Sequence, residues 1–382
     1  MKKTSRKTFT LGMVFCINAI LLTGCWSYIS IEDVNFVAGA AIDAEKEGKI
    51  RSTLQYIIPQ TGGGGQSMGS TTQQAYINVK ETGEALEPIG WETTLKREGS
   101  IFGAHEKIVV IGDKLARKTN LEQLVDLYYR DIDIRGSTLV FVSKGKASST
   151  LESKEPNVIP SFRISEIANQ QLSTRMIKPT TLIQVLGYME SDSSFVVQRL
   201  SSENGDTQLD GAAVFKGKTK KLIGFFTKKE VEGLNLITGD SKSGSIRAKT
   251  KQPVYYQIEG LKSKIIPHVK SGQISFQVQV NTDGRIAEDW KTPLNLFENS
   301  DLKKVEKDIQ QQIEKSISHT LDKMQNDLGV DAGGFGNQLR IQHPRLWESV
   351  KKDWDSQFRT VPITTKVEVK ISDYGMIGEK KG

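Results

Sequence analysis

Two cysteines stand near the amino terminus, Cys16 and Cys25, and the second closes the run Leu22-Thr23-Gly24-Cys25. A thiol placed directly behind an export signal can take diacylglycerol as a thioether before cleavage, which would make Cys25 the first mature residue. The preceding segment has the parts such a signal requires. Lys2, Lys3, Arg6 and Lys7 form a basic start, Phe9 to Leu22 a mainly apolar stretch too short to span a bilayer, and Gly24 a small residue at the junction. The ending resembles a bacterial lipobox; the plainer alternative is a secretory signal with an incidental cysteine. With Cys16 lost and Cys25 blocked, the exported body has no free thiol, which excludes disulfides, thiolate metal sites and cysteine nucleophiles. Two acyl chains on Cys25 anchor stably where one binds only reversibly.

Other reactive residue types are sparse or badly spaced. The four histidines, His105, His268, His319 and His343, are scattered, and His105-Glu106 lacks the second histidine of a zinc-protease helix, so no metal is expected. Gly65-Gln-Ser-Met-Gly69 formally matches a nucleophile elbow centred on Ser67, but its flanks are a glycine run and a Thr/Gln stretch instead of a strand and a helix. The run Gly62 to Gly65 is followed by no Gly-Lys-Ser/Thr, so neither a nucleotide nor another cofactor is expected. Arg130-Asp-Ile-Asp-Ile-Arg135 is the densest charged cluster. On a strand it would divide into Arg130, Ile132 and Ile134 on one face and Asp131, Asp133 and Arg135 on the other. Paired carboxylates can do acid–base work, but nothing nearby supplies the other groups of a mechanism. Arg130, Asp131, Asp133 and Arg135 are therefore read as a candidate interaction surface.

These residues sit in a chain of 382, 37% hydrophobic and 25% charged, a composition that excludes wholesale disorder and favours two or three domains. The formal charge is +7, and removal of residues 1–24 takes away four positive charges and no negative one. The remaining +3 is a weak footprint for nucleic acid. No later apolar run approaches the roughly 20 residues needed to cross a membrane.

The pattern predicts mixed α/β architecture. Strands are expected at Asn35 to Ile42, Ile50 to Pro59, Ile108 to Ile111 and Ser137 to Val142. A loop is expected over Gln60 to Gln74, and helices at Glu84 to Lys96, from Asn120, at Ile164 to Leu172 and at Thr181 to Met189. Further strands follow at Phe195 to Leu200, Leu209 to Phe215 and Lys221 to Phe226, with a helix opened by the capping box Thr227 to Glu230. Val254 to Ile258, Lys262 to Val269 and Gln273 to Val280 suggest an antiparallel meander. Leu302 to Leu328 steps apolar residues by three or four as one long amphipathic helix. A second helix starts at Pro344 and stacks Leu346, Val350, Trp354 and Phe358, and a strand closes the chain at Val361 to Ser372. The polar turns at Ser201 to Gly205 and Gly239 to Gly244 suggest four parts: a signal peptide over 1–24, then three dissimilar α/β domains with mixed or antiparallel sheets over 25–202, 203–250 and 251–382.

Taken together, these residues resemble the Ger(x)C family, the lipoprotein C subunits of GerA-type nutrient germinant receptors in endospore-forming bacteria. The resemblance is carried by the Gly24-Cys25-Trp26 junction and Glu32, the His105 segment with Ile108-Val-Val-Ile111, and the Arg130 to Arg135 cluster. It continues at Asp210-Gly-Ala-Ala-Val-Phe215, Asp331, Phe335-Gly336, Pro344, Trp347, Trp354 and Phe358. Ser27-Tyr28-Ile29-Ser30 departs from it, since relatives usually carry more charge there. The resemblance implies three mixed α/β domains, no known enzymatic activity and no catalytic residues. It also implies a place on the outer leaflet of the inner spore membrane beside two polytopic membrane subunits, in a receptor required for germination in response to nutrients. Two other classes fit parts of the sequence: a lipoprotein that captures a nutrient itself, and a hydrolase using Ser67 or the Asp131 and Asp133 pair.

Overall fold

The computed structural model describes residues 30–59, 74–170, 173, 175–241, 243–250, 253–290 and 298–373. Its first strand shows why the sequence folds as it does. β1 (Val34–Ala44) is buried without interruption from Val37 to Asp43 because it lies inside a sheet covered on both faces. It pairs antiparallel with β2 (Ile50–Ile57), which pairs with β3 (Tyr76–Gly83), and parallel with β5 (Ile108–Gly112). β5 is followed in parallel by β6 (Leu139–Ser143) and β7 (Phe195–Glu203), and antiparallel β8 (Asp206–Lys216) and β9 (Lys221–Phe226) complete the far side. The short β4 (Ser100–Phe102) runs parallel to the first three residues of β1. Among the described residues these nine strands form one mixed sheet.

Alternation along β5 sorts the two faces. Val109 and Ile111 join Val140, Val142, Leu124, Val125 and Leu182, under helices α1 (Leu86–Thr94), α3 (Leu121–Arg130) and α5 (Leu182–Glu190). Ile108 and Val110 point the other way, toward Phe141, Leu151, Ile164 and Ala168, under α4 (Pro160–Gln170). The short α2 (Asp113–Lys118) links β5 to α3, whose start is capped by Asn120 accepting from the Glu122 N–H over 2.8 Å.

A second sheet of four strands is built from β10 (Gly244–Arg247), β11 (Val254–Lys270), β12 (Gln273–Asp289) and β13 (Ile363–Asp373). The three short strands expected as a meander are two long ones: the break read between Ile258 and Lys262 is a register shift inside β11, not a turn. β13 pairs parallel with β12, from Phe276 opposite Ile363. The long helix appears as α7 (Asn299–Asp322), continued by a π-turn over Lys323–Leu328, and buries Val305, Ile309, Ile313 and Ile317. The helix expected from Pro344 is broken. After α8 (Phe335–Gln342) it becomes α9 (Pro344–Val350), a 3₁₀ turn and α10 (Trp354–Phe358), which bends the aromatic residues inward.

α6 (Lys228–Thr238) joins the two layers. Its capping box is present as read, Thr227 and Glu230 satisfying each other's backbone N–H. Val231, Leu234, Leu236 and Ile237 share one cluster with Ala212 and Val214 of the first sheet and Tyr256, Val278 and Ile317 of the second body. Gly233 lets α7 approach: a Cβ there would lie 2.1 Å from Thr320 Oγ1 and 2.4 Å from the Ser316 carbonyl.

Candidate functional site

The parallel strands β1, β5, β6 and β7 all begin at one end of the first sheet, and the chain enters the described fold at that same end. α1 and α3 each connect strands that run away from this end, so both return to it with their carboxyl termini. The sequence-predicted surface lies there. Arg130 closes α3, and Asp131 to Arg135 forms a turn-rich loop, not a strand. The reason is local: Asp131 Oδ1 accepts the Asp133 N–H over 2.9 Å, an Asx-type bond that curls the backbone out of extended pairing. Arg130 Nε donates to Asp126 Oδ2 one turn back, over 2.7 Å. That hydrogen bond holds the Asp126 carboxyl below its ordinary range. Asp131 thus serves the loop and is not one of two facing catalytic carboxylates. Asp133 and Arg135 are exposed, Ile134 tucks toward Gly103, and Ile132 is 97% exposed.

Beneath this loop lies Glu106, which the sequence showed only as part of an incomplete zinc-protease pattern. Its carboxyl is buried and accepts from the Tyr128 hydroxyl over 3.3 Å, while its backbone carbonyl accepts from Thr138 Oγ1 over 3.0 Å. Burial pushes its pKa up to about 8, the Tyr128 hydroxyl opposes the shift, and the charge of Asp131 adds to it. The available signal was its position two residues before an unbroken apolar strand.

His105, beside it, is exposed and stacks on Phe36, with ring centroids 5.4 Å apart, while Phe102 meets both rings edge-on. It is an element of an aromatic cluster at the entry of the chain. The same end carries Leu95 and Trp91, one turn apart on α1 and its cap. The α1 helix was expected, but the outward face of these two residues was not legible from its weak apolar stripe.

A second assembly is centred on Asp331. Its Oδ1 accepts from the N–H groups of Gly333, Gly334 and Phe335, and its Oδ2 from the Gly336 N–H and Trp354 Nε1, the indole over 2.9 Å. Burial raises its pKa and these donors pull it back. The pattern Asp-x-Gly-Gly-Phe before a helix was the signal for this cap. Asp331 and Trp347 border an open cleft between the two layers, also lined by Lys178, Asp240, Lys264 and Lys351, with a volume of about 1860 Å³.

Cys25, Ser67 and the glycine run Gly62 to Gly65 lie outside the described residues. Among the described residues no three His, Cys, Asp or Glu side chains gather as a metal site, and no helix is long and apolar enough to cross a membrane.

Comparison with known proteins agrees with this architecture. The family profile described as "Spore germination protein N-terminal domain" matches residues 27–202, and "Spore germination B3/ GerAC like, C-terminal" matches 210–375. The chain is 34% identical to "Spore germination protein YndF" of Bacillus subtilis (strain 168), over 99% of each chain. It is 26% identical to "Spore germination protein B3" of the same organism, over 98% of this chain and all of that one. The solved structure described as "Crystal Structure of the GerBC protein" has a TM-score of 0.62 at 24% identity, covering 87% of this chain and 96% of that one, and shares the fold. On these grounds the chain belongs to the Ger(x)C family of spore germination proteins.

Proposed function

We propose that this chain is the lipid-anchored C subunit of a spore nutrient germinant receptor, held on the outer face of the inner spore membrane through diacylglyceryl-Cys25. It acts there by contact with polytopic membrane subunits and catalyses no reaction of its own. One observation carries the reading: the chain enters the fold at the end of the sheet that also presents the Arg130 to Arg135 loop with its fully exposed Ile132. A tether at that end brings the loop to the membrane plane and raises its effective concentration beside membrane partners. Of the two carboxylates that acid–base work would pair, Asp131 accepts a hydrogen bond within its own loop and Asp133 stands exposed to solvent. The likeness to spore germination proteins over nearly the whole chain supports the biological setting.

The cleft bears on the rival reading, direct capture of a nutrient. At about 1860 Å³ and open to solvent, it is larger than the roughly 300–1,000 Å³ of small-molecule sites and suits a protein segment better. Cys25→Ala should leave the membrane fraction of spores and weaken nutrient germination. Full membrane retention of that variant would refute the anchoring. Affinity capture of the tagged, lipidated protein should recover polytopic subunits, and recovery of none would refute the receptor assignment.

A further inference from the structure

We propose that the entry end of the first sheet rests in the membrane interface, with Trp91 and Leu95 inserted at headgroup level as a second contact beside the acyl chains. The inference rests on the acylation of Cys25. From Cys25 to Ser30, the first described residue, is five residues, a reach of at most about 18 Å, so the start of β1 cannot stand far from the bilayer.

The residues around Leu95 are fastened to that start. Asn35 Nδ2 donates to the Glu98 carbonyl, Ser100 Oγ donates to the Asp33 carbonyl over 3.4 Å, and Val34 pairs with Ser100. Leu95 lies three residues before Glu98, within about 11 Å of it along the chain. Leu95 is 80% exposed and Trp91 69% exposed, unusual for such side chains on a helix whose other face is packed. Ile132 and Ile183 are exposed at the same end, the latter beside Gly136. Tryptophan is the side chain that favours the bilayer–water boundary, its indole N–H meeting the polar layer while the ring sheds water.

The charges nearby argue for apolar insertion and not for electrostatic attraction. Lys96 is paired with Glu81 and Arg97 lies over the Tyr56 ring, while Glu92 and Glu98 are exposed next to the patch. The contact should therefore withstand salt and need no anionic lipid. A flexible tether alone leaves the body free to tumble; a second contact at Trp91 and Leu95 fixes which face is turned outward and leaves Ile132 at that end for a membrane partner.

The test uses the full, acylated chain bound to phosphatidylethanolamine vesicles that carry a headgroup-region nitroxide lipid. Trp91→Cys and Leu95→Cys are each labelled with an environment-sensitive fluorophore, each leaving the other residue in place. Lys49→Cys, in the hairpin at the opposite end of β1, is the control. At positions 91 and 95 the nitroxide should quench emission by half or more and high salt should not reverse it, while position 49 stays unquenched. Retained vesicle binding with unquenched, iodide-accessible probes at 91 and 95 would overturn the insertion alone. Absence of vesicle binding by the acylated chain with Trp91 and Leu95 intact would overturn the anchoring through Cys25 and the insertion with it.

Discussion

The Tyr128 hydroxyl and the Glu106 carboxyl are buried together, 3.3 Å apart, under the charged loop that follows α3. Glu106 holds its proton in the folded protein up to about pH 8, whereas in the unfolded chain it releases it near 4.5. Between these values the native state binds more protons, so stability falls as pH rises through the window and levels off above it. The span corresponds to a loss on the order of a few kcal/mol. Glu106→Gln keeps an acceptor for Tyr128 without the proton and should flatten urea midpoints measured from pH 5 to 8. An unchanged slope in that variant would mean another group sets it.

Asp331→Ala should cost about 3 kcal/mol or more, because four backbone N–H groups and the Trp354 indole lose one shared acceptor in a buried site. Chemical denaturation followed by tryptophan emission checks it, and the emission of the folded state should itself shift, since Trp354 reports on the lost bond.

Gly233→Ala should destabilise by roughly 1–3 kcal/mol even though alanine is the better helix former, since its Cβ would press on Thr320 Oγ1 and the rigid Ser316 carbonyl between α6 and α7. A thermal melt at or above that of the parent would show that the two helices can separate freely.

Ile132→Ser should leave the melt within about 0.5 kcal/mol of the parent, since the side chain touches little of the fold, and should weaken recovery of membrane subunits in affinity capture. Equal recovery would remove the loop from the contact surface.

What could be read in advance depended on whether the signal was local. Asn120, Thr227 and Glu230 announced their helices because a cap acts within four residues. The run at Ile108 announced a covered strand because parallel strands bury both faces. The Arg130 to Arg135 segment misled because alternating charge and isoleucine mimics a half-buried strand, while one Asx bond from Asp131 decides for a turn. The gap between Ile258 and Lys262 misled in the opposite sense: Gly260 there interrupts the alternation, yet the 17-residue partner β12 carries the strand through it. The outward face of Trp91 and Leu95 depends on what neither α3 nor β3 covers, and no periodicity in α1 encodes that.

β13 enters the second sheet between residues 363 and 373, parallel to a strand begun some ninety residues earlier. A parallel partner cannot form as a hairpin and must wait for everything between to be laid down. The second body can therefore close its sheet only after the residues up to Asp373 have been translated, some hundred residues after β12 begins. A premature stop even slightly upstream of Ile363 leaves β12 with an open edge and α7 without the strand it packs on.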